Sequence, residues 1–259
     1  MRRFVPAFAA AALLGALSVA TLGAPSVAQA EETTLPEIHW SFQGVFGTFD
    51  RAAAKRGFQV YKEICSACHS MNLLHYRNLA ALGFSDDEVK AIAAGFQVPG
   101  EPDDNGDVKD RPAKPSDAFK APFPNPQAAR AANNGALPPD LSVITKARKG
   151  GATYVHAILT GYSEPPAGLK MADGMNYNKY FSGHQIAMPQ PLQDNSVTYA
   201  DGASATLDRE STDVATFLAW AAEPELEERH FIGIKTVLFL IVLSALLYAL
   251  KRKVWAEVH

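Results

Sequence analysis

Cys65-Ser66-Ala67-Cys68-His69 is the stretch on which the reading of this chain turns. A C-x-x-C-H pattern is the attachment site of a c-type haem. Two thiols three positions apart each add to a vinyl group of one porphyrin, and the imidazole that follows sits against the iron as its proximal ligand. Cys65 and Cys68 are the only cysteines in the 259 residues, which weakens the competing uses of the pattern. A zinc site wants a second ligand pair, and there is no other C-x-x-C and no closely spaced His pair. A redox dithiol belongs in a βαβ context, whereas the residues before Cys65 read as a helix. One covalently bound haem c is therefore expected, with His69 on its iron.

Covalent haem is attached outside the bacterial cytoplasm, so an export signal should precede the motif. Arg2 and Arg3 form a basic start, an Ala/Leu/Val-rich stretch runs to about Leu22, and Ala28-Gln29-Ala30 is an A-x-A cleavage site. Residues 1–30 are read as a cleaved signal peptide and residues 31–230 as the exported domain. Residues 231–250 form a second apolar segment, interrupted only by Lys235 and long enough to cross a bilayer once. Lys251-Arg252-Lys253 follow it, while Glu223, Glu225, Glu227 and Glu228 precede it. The positive-inside rule then places residues 251–259 in the cytoplasm and the domain in the periplasm, as a single-pass protein of the bacterial inner membrane in contact with lipid. Lys235 can snorkel to the outer headgroups. The formal net charge of −3, with no basic run, gives no reason to expect a nucleic-acid partner.

The exported part has room for one core and is larger than a minimal single-haem fold needs, so the excess is read as loop insertions. The fold class expected is mainly α, a cytochrome c-like haem domain with loop insertions plus one C-terminal transmembrane helix. Asp50 to Tyr61 reads as a capped helix with Phe58 and Tyr61 on one face. Ser85 to Ala94 carries a capping box from Ser85 and Glu88. Ser211 to Ala222 places Val214, Phe217 and Leu218 together. In such a fold the first and last helices cross, and Gly57 would let them approach closely. Val98 to Pro126, rich in Pro, Asp and Lys, reads as an extended surface excursion. Asp103, Asp104, Asp107 and Asp110 make it acidic: a solvated loop, or a docking face for a basic redox partner.

The second axial position decides whether the iron transfers electrons or binds small molecules. Candidates are Met71, Met171, Met175, Met188, His75, His156 and His184. Met71 and His75 follow His69 too closely to reach the opposite porphyrin face. Met171 and Met175 lie in a Gly- and Asp-containing stretch. Met188 stands in Ile186-Ala187-Met188-Pro189-Gln190-Pro191, where prolines stiffen the backbone around one thioether. It is the preferred ligand, with His184 next, and thioether ligation raises the potential relative to bis-histidine.

These residues resemble the cytochrome c1 family, the haem subunit of the cytochrome bc1 complex. The likeness runs through Arg56-Gly57-Phe58-Gln59-Val60-Tyr61-Lys62, His69-Ser70-Met71, the long run from Pro124 to Ser142 (PNPQAARAANNGALPPDLS), Leu159-Thr160-Gly161-Tyr162, Trp220-Ala221-Ala222-Glu223-Pro224-Glu225 and the terminal anchor. The resemblance implies that Met188 is the distal ligand and that Arg148 pairs with a haem propionate. It implies that Asn133, Pro138, Pro139 and Tyr154 line the haem pocket. A proline carbonyl there could accept the Nδ1 proton of His69, from either Pro138 or Pro139. Some bacterial members brace the distal side with a disulfide. This chain has no cysteines for one, so rigidity around Met188 must come from its prolines and packing.

The function implied is a non-catalytic electron-transfer subunit of quinol–cytochrome c reductase. Its partners would be cytochrome b, a Rieske iron–sulfur protein as donor and a soluble or membrane-bound cytochrome c as acceptor. Two alternatives differ in kind: a membrane-tethered haem peroxidase or gas-binding cytochrome with an open distal site, and a free-standing tethered shuttle without a complex.

Overall fold

The computed structural model describes residues 33–256. The expected signal peptide lies outside the described residues. Helix α1, Arg51–Glu63, starts where the Asp50 side chain accepts from the amides of Ala52 and Ala53. It runs straight into a 3₁₀ turn, Cys65–Ala67, so the C-x-x-C-H is the C-terminal continuation of α1. Helix α2, Asp86–Ala94, has the expected capping box between Ser85 and Glu88. Two short helices follow later, α3, Pro126–Ala132, and α4, Gly151–Thr160. Helix α5, Leu207–Ala222, begins four residues before the expected start, because the Thr206 hydroxyl accepts from the Arg209 amide and caps it there.

Helix α5 packs against both α1 and α4. A Cβ on Gly57 would lie 2.0 Å from the Asp213 carbonyl oxygen and 2.8 Å from the Phe217 Cβ, so the α1–α5 crossing admits only glycine there. One residue earlier, Arg56 forks onto the buried Asp213 of α5 at 2.7 and 3.0 Å. Phe58 and Tyr61 each pack their rings, tilted or edge-on, against Phe217 and Phe119, with ring centroids 5.7 to 5.9 Å apart. Fully burying aromatics of this size stabilises by roughly 2–3 kcal/mol each. The aromatic face of α1 is thus the floor on which the haem motif stands.

The segment read as an extended excursion is in part a hairpin. Strands β1, Gln97–Pro102, and β2, Val108–Pro112, pair antiparallel with a register shift between Pro99 and Pro102. Asp103 serves the turn, its Oδ1 accepting from the amides of Asn105 and Asp107. Arg111 forks onto Asp117 at 2.7 and 2.9 Å, and the chain then returns to bury Phe119 in the core. A second two-residue pair, β3 Asn176–Tyr177 with β4 Gln185–Ile186, stands just before Met188.

Helix α6, Leu226–Trp255, is exposed along its apolar length and long enough to cross a membrane. The Lys235 ammonium lies over the Phe231 ring at 3.8 Å, one helical turn towards the start of the helix.

Candidate haem site

The turn that follows α1 is closed by hydrogen bonds from the amides of Cys68 and His69 to the Cys65 carbonyl, at 3.2 and 2.9 Å. Cys65 packs against the core and Cys68 is exposed, so the two thiols leave the turn in different surroundings. Burial pushes the Cys65 thiol up to about 12.

His69 is oriented from the far side. Its Nδ1 lies 2.8 Å from the Pro139 carbonyl oxygen, so Pro139, not Pro138, is the proline that contacts it. A carbonyl can only accept, so Nδ1 carries the proton and Nε2 keeps a lone pair. Burial lowers the imidazole's pKa more than the Pro139 hydrogen bond raises it, which favours this neutral form. No described residue bonds to Nε2.

Asp140, beside Pro139, ties the two segments together. Its Oδ2 accepts from the Ser70 hydroxyl at 2.8 Å and the Asn72 amide at 2.9 Å, and its Oδ1 from the Ser142 amide at 2.8 Å. The Ser142 hydroxyl takes the Leu73 amide, and the Leu141 amide bonds to the Ser70 carbonyl. Burial alone would push the Asp140 carboxyl up, but these donors hold it below its ordinary value. Sequence reasoning missed Asp140; the Asp-x-Ser spacing of an Asx turn was the available signal.

Met188 is half-buried two residues after β4. Its carbonyl accepts from the Tyr162 hydroxyl at 3.0 Å and the Asn176 amide side chain at 3.4 Å. Tyr162 follows the end of α4, so two elements grip the Met188 segment without a disulfide. Burial raises the Tyr162 phenol's pKa, keeping it protonated as a donor. Among the other axial candidates, Met71 is fully buried in the core and His75 caps the 3₁₀ turn Tyr76–Leu82. His156 spends Nε2 on Asp208 of α5 at 3.0 Å. Met175 is exposed, Met171 is half-buried, and His184 sits at φ +58° with its ring 5.8 Å from that of Tyr177.

Asn133 ends α3, its side chain donating to the Ala129 carbonyl at 2.7 Å. Pro138 and Tyr154 are half-buried. Arg148 is exposed, donating to the Ala147 carbonyl, and no described carboxylate pairs with it. A cavity of about 220 Å³ lies elsewhere, between the segment Trp40–Phe49, the residues leading into α4 and the junction of α5 with α6, and includes none of these residues.

The residues fit a haem. Two thiols and a neutral imidazole with an open Nε2 share one turn, and exposed Leu73, Leu137 and Val143 lie on the segments joined around His69 and Pro139. Thiols, an imidazole nitrogen with a free lone pair and apolar surface are the groups that a c-type haem requires.

The Cytochrome C1 family model matches residues 40–258. The chain belongs to the cytochrome c1 family. It is 46% identical to cytochrome c1 of Rhodospirillum rubrum, over 95% of this chain and 97% of that protein. It is 49% identical to the mitochondrial cytochrome c1 haem protein of Saccharomyces cerevisiae, over 86% of this chain and 72% of the relative. It is 47% identical to cytochrome b/c1 of Bradyrhizobium diazoefficiens, over 86% of this chain but only 36% of that longer protein. Cytochrome c1 is a haem-carrying electron-transport subunit of the cytochrome bc1 complex, so this chain binds a c-type haem; α6, the one such span among the described residues, fits a membrane anchor.

Proposed function

We propose that this cytochrome c1 takes electrons one at a time from a Rieske iron–sulfur protein and delivers them to a soluble or membrane-bound cytochrome c. The observation that carries the reading is the neutral His69 imidazole, held through Nδ1 by Pro139, on the turn that bears both cysteines. When bound, a single haem c supplies a one-electron couple. Cys65 and Cys68 anchor it through thioether bonds, His69 offers Nε2, and Met188 offers a thioether from a segment held by Tyr162 and Asn176. Pro139 keeps the imidazole in one orientation and makes it a better donor. Asn133, Pro138 and Tyr154 line the pocket, and the exposed Arg148 is available to a propionate.

In this reading the haem edge, not a side chain, carries the transfer. Quinol chemistry belongs to a cytochrome b partner, a reading supported by the Bradyrhizobium relative, whose name joins b and c1 in one protein. The domain stands in the periplasm of a bacterial inner membrane, with Lys251, Arg252 and Lys253 at the cytoplasmic end of α6.

Purification in mild detergent, followed by titration of the haem α-band and quinol addition, tests this. One high-potential haem should titrate, and quinol should reduce it only while the Rieske protein is present. Undiminished quinol reduction after Rieske depletion, or recovery of this chain without cytochrome b, counts against the proposal.

A further inference from the structure

Residues 40–49, Trp-Ser-Phe-Gln-Gly-Val-Phe-Gly-Thr-Phe, contain four aromatics and no charge. They form a compact loop. The Gln43 amide bonds to the Trp40 carbonyl, the Thr48 amide to the Ser41 carbonyl and the Gly47 amide to the Gly44 carbonyl, at 3.0 to 3.2 Å. Trp40 is buried, and its indole donates to the Thr153 hydroxyl of α4 at 2.8 Å. Phe42 lies against both Trp40 and Phe49, with ring centroids 5.5 and 4.9 Å apart. Gly44 sits at φ +80°, and a Cβ on Gly47 would stand 2.3 Å from the Phe42 carbonyl carbon. The loop is therefore closed by its own backbone and roofed by its own rings.

This construction displays apolar side chains instead of hiding them. Val45 and Phe46, at the tip, are 62% and 84% exposed. The base of the loop is fastened to the membrane helix. The Phe49 amide donates to Glu227 at 2.7 Å, and Arg51 forks onto the same carboxylate at 2.8 and 2.9 Å. Glu227 lies in the first turn of α6, and Phe231, where the exposed apolar run begins, is one helical turn further on. Three residues span at most about 10 Å, so the Phe46 tip lies within reach of the headgroup layer that α6 enters.

We propose that the turn Gly44–Gly47 is a second membrane contact, with Val45 and Phe46 seated at the headgroup–acyl boundary of the leaflet that α6 enters. This rests on α6 as the anchor. Lipid is the occupant favoured because the segment offers no charge for a polar partner, and because its clamp on Glu227 makes it continuous with the helix surface that lipid already covers. One helix alone leaves the domain free to swivel; a rigid apolar finger beside it holds the haem domain at a set tilt.

The intact complex, reconstituted in phosphatidylcholine–phosphatidylglycerol vesicles, allows a direct test. Phe46→Cys places a unique thiol for a nitroxide, since Cys65 and Cys68 are committed to haem; Val45→Cys repeats the measurement next door. Labels at Leu238→Cys in α6 and Asn105→Cys at the hairpin turn serve as lipid and water references, and an unchanged haem spectrum reports folding. Collisions with oxygen relative to a water-soluble nickel chelate should be several-fold more frequent at 46 than at 105, approaching those at 238. A label at 46 that matches 105 overturns the proposal. So does one screened from both reagents, which would mean protein cover. A water-exposed label at 238 would instead overturn the anchor reading itself.

Discussion

His69 and Pro139 are joined by one 2.8 Å hydrogen bond between positions 70 residues apart. It fixes the tautomer of the imidazole and the rotation of its ring, so Nε2 is aimed before any metal arrives. The bond is only as firm as the two loops that make it, and the Asp140 carboxylate fastens those loops to each other.

Asp140 should therefore matter to stability and to the iron. Removing an acceptor of three hydrogen bonds in Asp140→Ala is expected to cost about 2 kcal/mol. Asp140→Asn, which keeps one acceptor oxygen but sets an NH2 donor where the other stood, should cost less. The folded carboxyl is held below its ordinary value, so its stabilisation is present above the unfolded pKa and is lost as pH falls through the folded one. Denaturant titrations of the wild type and Asp140→Asn should diverge at neutral pH and converge at acid pH. A constant gap across that range would show that the charge contributes nothing.

Gly57→Ala tests the crossing beneath the haem motif. The new methyl would meet backbone of Asp213 at 2.0 and 2.5 Å, and backbone in a helix cannot swing aside as a side chain can. The α1–α5 pair must separate, at a cost of about 3 kcal/mol. Thermal unfolding should fall well below the wild type, with less haem incorporated per chain. An unchanged midpoint would mean that the helices have slack.

That crossing was legible in the sequence because its causes are local: Asp50 starts one helix, Val214, Phe217 and Leu218 mark the face of the other, and a lone glycine marks the approach. The hairpin at 97–112 was not legible. Pro99, Gly100, Pro102 and Pro112 all argue against strands, and the cross-strand pairing of Gln97, Val98 and Pro99 with Pro112, Arg111 and Asp110, braced by the Arg111–Asp117 fork, overrides them. Asp140 escaped notice for a similar reason, since two of its three donors lie about 70 residues away. Met188 stood out through its prolines, yet the hold of Tyr162 on its carbonyl exists only in three dimensions.

Met188→Leu should leave a folded protein with haem attached but remove the thioether, lowering the midpoint potential and opening the sixth position to carbon monoxide. Tyr162→Phe should give a milder form of the same defect. The ligand stays, but its segment loses a hydrogen bond worth about 1 kcal/mol, and added imidazole should displace it at lower concentration. If Met188→Leu left both spectrum and potential untouched, Met188 would not be the ligand, and His184→Ala would be the next variant to measure.

Arg56 and Asp213 give the last prediction its sign. Asp213 is almost fully buried, and burial pushes its carboxyl up while the Arg56 fork pulls it down. Arg56→Ala leaves a buried carboxylate near Tyr199 without its forked cation, at a cost of about 3 kcal/mol at neutral pH. Burial already holds the carboxyl above its ordinary value in the folded wild type, and the orphaned carboxyl must rise further above its unfolded pKa. Such a group destabilises as pH rises through that window and does no harm once protonated. The variant should therefore recover stability as pH is lowered from neutral into the acid range, while Arg56→Ala/Asp213→Asn should lack that recovery and be more stable than the single variant at neutral pH. Parallel pH profiles for the two would show that Arg56 contributes packing alone.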